Sequence, residues 1–238
     1  MNKYLLVISK DYWGTSTSES TALRFTDRFK NFAGINDMNV TTLFNGGVTV
    51  SNVKDTIYKS VKAALSLDVE KPRLYIYMNG HGNQIIDTNG DEWVSVYNGE
   101  TSIDAMDEVY QLPDGNVVDD DITDTINRAV IDCGGNKRLM VILISDHCSS
   151  GSMIDKVDVK YDWVTIGSSL DNQDSYVTGD GNVMTNMLLS VLDKCSGDIL
   201  VADFYKCLDE EMKMSYIGEM QLCTLHVSRE SVLYESIC

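Results

Sequence analysis

Six runs of strand length alternate along this chain with segments of helical spacing, and that alternation narrows the fold more than any other feature. The runs are residues 4–9, 38–43, 73–78, 139–144, 163–167 and 222–227. Residues 139–144 are the most apolar of them and read as a strand buried on both faces. Between them, residues 23–32, 183–192 and 202–212 carry helical spacing. Ser51 or Asn52 can cap another helix, with Val53, Ile57, Val61, Ala64 and Leu65 on one face. Asp119, Asp120 and Asp121 open a further helix, where three acids suit the positive end of the dipole. Strands separated by helices predict an α/β fold with a mainly parallel sheet of six or more strands and helices on both faces. The region from Asn79 to about Asp119 is polar and rich in Gly and Asp, and no element is assigned to it.

At 238 residues the chain can fill one substantial core. With 43% hydrophobic residues and two prolines it belongs with globular chains, not disordered ones. The formal net charge of −17 sets aside nucleic acid and anionic membranes as partners and favours metal ions or basic peptides. The apolar run near the N-terminus is too short for a signal peptide or a membrane span. Six cysteines form no CxxC pair, so a reducing, cytoplasmic setting is expected.

In open α/β sheets, ligands gather at loops leaving the carboxyl ends of the strands. Two such loops carry reactive groups. His81 stands between Gly80 and Gly82 after one apolar strand, and Cys148 precedes Ser149-Ser150-Gly151 after another. A thiol nucleophile needs a base and donors for the oxyanion. If the two strands are parallel neighbours, His81 and Cys148 share one rim, and the backbone amides of Gly82 and Cys148 can serve the oxyanion. Taken singly, a loop histidine is more often a surface group and a lone cysteine a small buried one. His147, next to the cysteine, points to the opposite face and is a poor base.

Tyr77-Met78-Asn79-Gly80-His81-Gly82-Asn83-Gln84 resembles the histidine loop of metacaspases, Y-x-S-G-H-G-x-Q, and residues 144–152 resemble their cysteine loop, D-x-C-H-S-G-S. Gly90-Asp91-Glu92, residues 107–113, residues 117–120 and Asp171-Asn172-Gln173 match further family motifs in order. The resemblance spans nearly the whole chain. It implies the caspase-hemoglobinase fold and an endopeptidase using His81 and Cys148, with residues 1–160 and 161–238 as large- and small-subunit-like parts of one catalytic domain. It implies calcium at Asp107, Asp119, Asp120 and Asp155, since calcium takes clustered hard oxygen ligands. It also implies cleavage after Arg or Lys, with Asp146 as the pocket acid, Asp27 as a second acid, and Asn79 and Ser168 lining the pocket. Lys156 and Lys160 are candidate self-cleavage sites, with ordinary surface lysines as the alternative. The likeness is to a minimal, monomeric unit without a prodomain.

Asn79 replaces the family's usual Ser, and Ser149 replaces the usual His after the cysteine. The loop over residues 93–106 is longer than usual and has no assigned role. These departures leave open a catalytically silent relative that acts as a binding or regulatory module. A third reading, altered specificity as in legumain-like proteases, is disfavoured by Asp146.

Overall fold

The computed structural model describes residues 3–11, 17–88, 95–97, 100–102, 106–135, 137–154, 159–215, 217 and 220–238. Along the chain run β1 (Lys3–Ser9), α1 (Thr17–Ala33), β2 (Val40–Phe44), α2 (Val50–Ser66) and β3 (Arg73–Asn79). Next come β4 (His81–Ile86), β5 (Ser95–Tyr97), β6 (Glu100–Ser102), β7 (Met106–Leu112), β8 (Gly115–Val118) and α3 (Asp119–Asp132). The remainder is β9 (Met140–Asp146), β10 (Asp162–Gly167), β11 (Val177–Thr178), β12 (Gly181–Asn182), α4 (Val183–Lys194), α5 (Val201–Met214) and β13 (Thr224–Val227).

The main sheet has six strands in the order β13-β10-β9-β3-β1-β2. All pairs are parallel except β10 with β13. Side chains alternate between its faces, so each central strand feeds two cores. Leu5, Val7, Tyr75, Tyr77, Ile142 and Ile144 pack with α1, α4 and α5 on one side. Leu6, Ile8, Leu74, Ile76, Val141 and Leu143 pack with α2 and α3 on the other. That double burial is why these strands read as unbroken apolar runs. Helix α1 enters the first core through Ala22, Phe25 and Phe29, spaced three and four apart. Phe25 stacks on Tyr77 with centroids 4.1 Å apart. Truncating so buried an aromatic costs about 3–5 kcal/mol.

Two local expectations need correction. The cap of α2 is Thr49, whose side chain accepts from the Asn52 amide, so the helix begins earlier than Ser51 or Asn52 would set it. The polar region after Asn79 is not structureless: β4, β7 and β8 form an antiparallel three-stranded sheet. Its alternation is hidden because β7 turns two acids inward, Asp107 and Glu108. Glu108 accepts from Ser152 Oγ at 2.6 Å and from Gln84 Nε2 at 3.0 Å, which satisfies a carboxylate that hydropathy alone would place in solvent. No helix among the described residues is long and apolar enough to cross a membrane.

Candidate active site

Strands β3 and β9 are parallel neighbours, and their register ends with Asn79 opposite Asp146. His81 lies two residues beyond Asn79 and Cys148 two residues beyond Asp146. Neighbouring strands run roughly 4.8 Å apart, so both leave the sheet side by side at its carboxyl edge. Gly80, with φ of 152°, makes the turn into β4. The next glycine brings the two loops into contact. A methyl group built on Gly82 would lie 2.0 Å from the Cys148 carbonyl oxygen and 2.2 Å from His147 Nδ1. Only a residue without a side chain lets the histidine segment sit on the cysteine turn.

That turn is held from several directions. Ser149 adopts φ of 49°, a left-handed conformation that costs a non-glycine residue about 1–2 kcal/mol. Its N–H donates to the Gln173 carbonyl at 3.1 Å. The Cys148 carbonyl faces His147 Nδ1 at 2.9 Å. The Ser168 hydroxyl lies 3.0 Å from the His147 carbonyl and 3.0 Å from Ser175 Oγ. Ser168 is therefore fully buried beneath the turn, and supports it from there.

Cys148 is half-buried, and Ser175 donates its backbone N–H to the sulfur at 3.3 Å. Burial pushes the thiol above its usual range. The Ser175 backbone pulls it back, and the Asp174 charge pushes it further up. Burial lowers His81 below the usual histidine range. Near neutral pH the thiol is protonated and the His81 imidazole neutral, so a base must remove the thiol proton when a substrate is attacked. His147, 1% exposed, is pushed down to about 4, chiefly by burial.

Asp146 is fully buried, and its partners are neutral. One carboxylate oxygen accepts from the Thr185 backbone N–H at 3.0 Å and from the Thr185 hydroxyl. The other accepts from Ser175 Oγ at 3.1 Å. Burial raises its pKa, and the Thr185 and Ser175 hydrogen bonds act against that rise. Thr185 lies in the first turn of α4, so Asp146 also serves as an acceptor for the positive end of that helix. Asn79, fully buried, donates from Nδ2 to the Ser18 carbonyl at 3.0 Å and to Asn182 Oδ1 at 3.4 Å. Ser175, Thr185 and Asn182 are site residues that sequence reasoning missed, and it weighed His147 only as a base. Of the three, Ser175 alone, two positions after the Asp171-Asn172-Gln173 motif, carried any signal.

Asp27 lies on the exposed face of α1, because Phe25, Thr26 and Phe29 occupy the inward face. Of the four acids expected to bind calcium, Asp107 and Asp119 are buried and Asp120 is half-buried. The β7–β8 register brings them near one another: Asp107 comes two residues before Val109, whose partner Val118 directly precedes Asp119. Hard oxygen donors in that arrangement suit calcium. Yet among the described residues no group of three or more His, Cys, Asp or Glu side chains is set to hold a metal ion. Asp155 lies outside the described residues, as do Lys156 and the Gly90-Asp91-Glu92 motif. Lys160 is exposed, and its backbone N–H donates to Asn127 Oδ1 at 3.1 Å.

No family model matches the chain, and no curated protein does. Among solved structures it is similar to protein GSU0716 from Geobacter sulfurreducens, with a TM-score of 0.69 at 19% identity over 98% of this chain and 97% of that one. At that identity the likeness extends to the fold alone.

Proposed function

We propose that the chain is a cysteine endopeptidase of the metacaspase type, built on the caspase-hemoglobinase fold, with Cys148 as nucleophile and His81 as general base. His81 takes the Cys148 proton as the sulfur attacks the scissile carbonyl. The amides of Gly82 and Cys148 receive the oxyanion, and His81 returns the proton to the leaving amine. Water then releases the acyl group from sulfur. The observation that carries this reading is the contact of the His81–Gly82 segment with the Cys148 turn. Asp146 gives the specificity: a buried carboxylate with only neutral partners suits the side chain of Arg or Lys at the cleaved bond. The substrates are basic peptides or proteins, and the enzyme acts as a cytoplasmic monomer. Asp107, Asp119, Asp120 and Asp155 would hold calcium, which would offset the repulsion among these carboxylates and order the chain beside Cys148. Lys156 and Lys160 are the candidate self-cleavage positions.

The raised thiol pKa favours a second reading, a silent relative whose Cys148 sulfur is kept protonated beside Ser175. One assay separates them: hydrolysis of Arg- and Lys-ended fluorogenic peptides, with Cys148→Ala as control and with calcium or chelator added. The expected result is turnover that Cys148→Ala abolishes, that calcium raises, and whose acid limb falls below the ordinary histidine value of about 6.5. No turnover in any arm favours the silent relative. Turnover indifferent to both calcium and chelator removes the calcium assignment alone.

A further inference from the structure

His147 is left unused by the mechanism above, yet it lies between its two halves. Its ring is buried against Tyr110 of β7, with centroids 5.5 Å apart. Its own carbonyl is within hydrogen-bonding distance of the Ser168 and Ser169 hydroxyls, at 3.0 and 3.3 Å. Nδ1 lies 2.9 Å from the Cys148 carbonyl oxygen, which can only accept, so Nδ1 carries the proton. Nε2 is then a bare lone pair, buried and without a hydrogen-bond partner. Native structures leave few buried polar atoms in that state, and each calls for a reason. An apolar side chain of similar size would avoid that cost but would lose the Nδ1 donor.

The reason lies in the peptide that follows the cysteine. Its carbonyl is held by His147 and its N–H, that of Ser149, by the Gln173 carbonyl at 3.1 Å. The peptide plane is thus clamped at both ends, which keeps Ser149 at its positive φ. Gly82 rests on that same carbonyl and on that same imidazole. The titratable groups around the ring are Tyr110 from β7, His81 from β4 and Cys148 of its own turn.

We propose that His147 is a positioning residue, whose Nδ1–H fixes the Cys148–Ser149 peptide and thereby seats the thiol under the His81–Gly82 segment. It touches neither substrate nor the reacting atoms. The role rests on the protease reading for its purpose, but the clamp itself does not need it.

The test compares His147→Leu, which keeps bulk and loses the donor, with His147→Asn, whose amide nitrogen occupies the place of Nδ1. Iodoacetamide alkylation of Cys148, followed by peptide mapping at pH 7, reads the thiol without any substrate. Hydrolysis of an Arg-ended peptide reads kcat and KM separately. His147→Leu is expected to change the alkylation rate severalfold and to cut kcat about 100-fold with KM within about threefold, because a displaced nucleophile harms reaction and not binding. His147→Asn should recover at least about tenfold of that loss, since the donor is restored. Where His147→Leu does not fold, His147→Gln takes its place, because its amide lies one bond too far out. An alkylation rate and kcat at wild-type level in the donor-less or displaced-donor variant would overturn the proposal, and so would an Asn variant no better than either. A wild-type chain that cleaves no peptide counts against the protease reading alone, and alkylation then decides the clamp.

Discussion

Gly82 is the residue on which the two loops depend. A single methyl group there meets a carbonyl oxygen and an imidazole nitrogen at about 2 Å, and neither belongs to a flexible chain end. Gly82→Ala should therefore push β4 away from the cysteine turn. The expected cost is about 1–3 kcal/mol in urea unfolding, the usual range for an overpacked site. Peptide turnover should fall about 100-fold, because a shift of 1 Å suffices for that. Wild-type turnover in this variant would mean that the two loops can separate without harm. Asp146 poses a sharper question, since it is both a candidate pocket acid and an acceptor at the start of α4. Asp146→Asn keeps an oxygen for the Thr185 amide and removes the charge. As pocket acid, its loss lowers kcat/KM for Arg-ended peptides about 100-fold and leaves citrulline-ended ones alone. As a helix acceptor only, its lost charge costs at most about 1 kcal/mol of stability with peptide preference unchanged.

Among elements, the small sheet β4-β7-β8 does what a loop cannot: it gives His81 a backbone partner. His81 pairs with Gln111 across the β4–β7 register, and Tyr110 donates its hydroxyl to the Asn79 carbonyl at 2.8 Å. Tyr110→Phe should cost about 1 kcal/mol in unfolding free energy, the usual net worth of such a bond. It should also lower turnover about tenfold by loosening the exit from β3. Unchanged values in both measurements would show that β3 and β4 hold their geometry without it. This sheet was illegible in the sequence. The strands of the main sheet announced themselves because burial on both faces leaves unbroken apolar runs such as residues 139–144. In β7 the buried positions include Asp107 and Glu108, and β4 opens with His-Gly-Asn-Gln, so neither shows an apolar alternation. The site divides in the same way. His81, Gly82 and Cys148 were legible because each follows an apolar strand in a glycine-flanked loop. Thr185 was not, since its bond to Asp146 joins segments 39 residues apart that no local pattern encodes. His147 was visible beside the cysteine, but its bond to the next carbonyl depends on the backbone conformation of the turn.

At the scale of the molecule, three histidines share one response to acid. His81, His147 and His226 all lie below the ordinary value of 6.5, and burial is the chief cause for each. Between that value and the folded one, the unfolded chain binds more protons than the native one, so stability falls as pH falls. For His147 the window runs from 6.5 down to about 4. Keeping that imidazole neutral across the whole window costs roughly 3 kcal/mol, a large share of the stability of an ordinary domain. Asp146 works the other way, because its raised pKa lets the native state take up a proton first as the pH approaches 3.8 from above. The net charge of −17 keeps the neutral-pH molecule under self-repulsion, which added salt should relieve at pH 7. The expected urea midpoint therefore drops steadily from pH 7 to pH 4.5 at fixed ionic strength. In His147→Asn the same titration should be markedly flatter, since the residue with the widest window has gone. A variant curve parallel to wild type would place the acid sensitivity elsewhere, and would show that the ring beside Cys148 takes up its proton as readily in the folded chain as in the unfolded one.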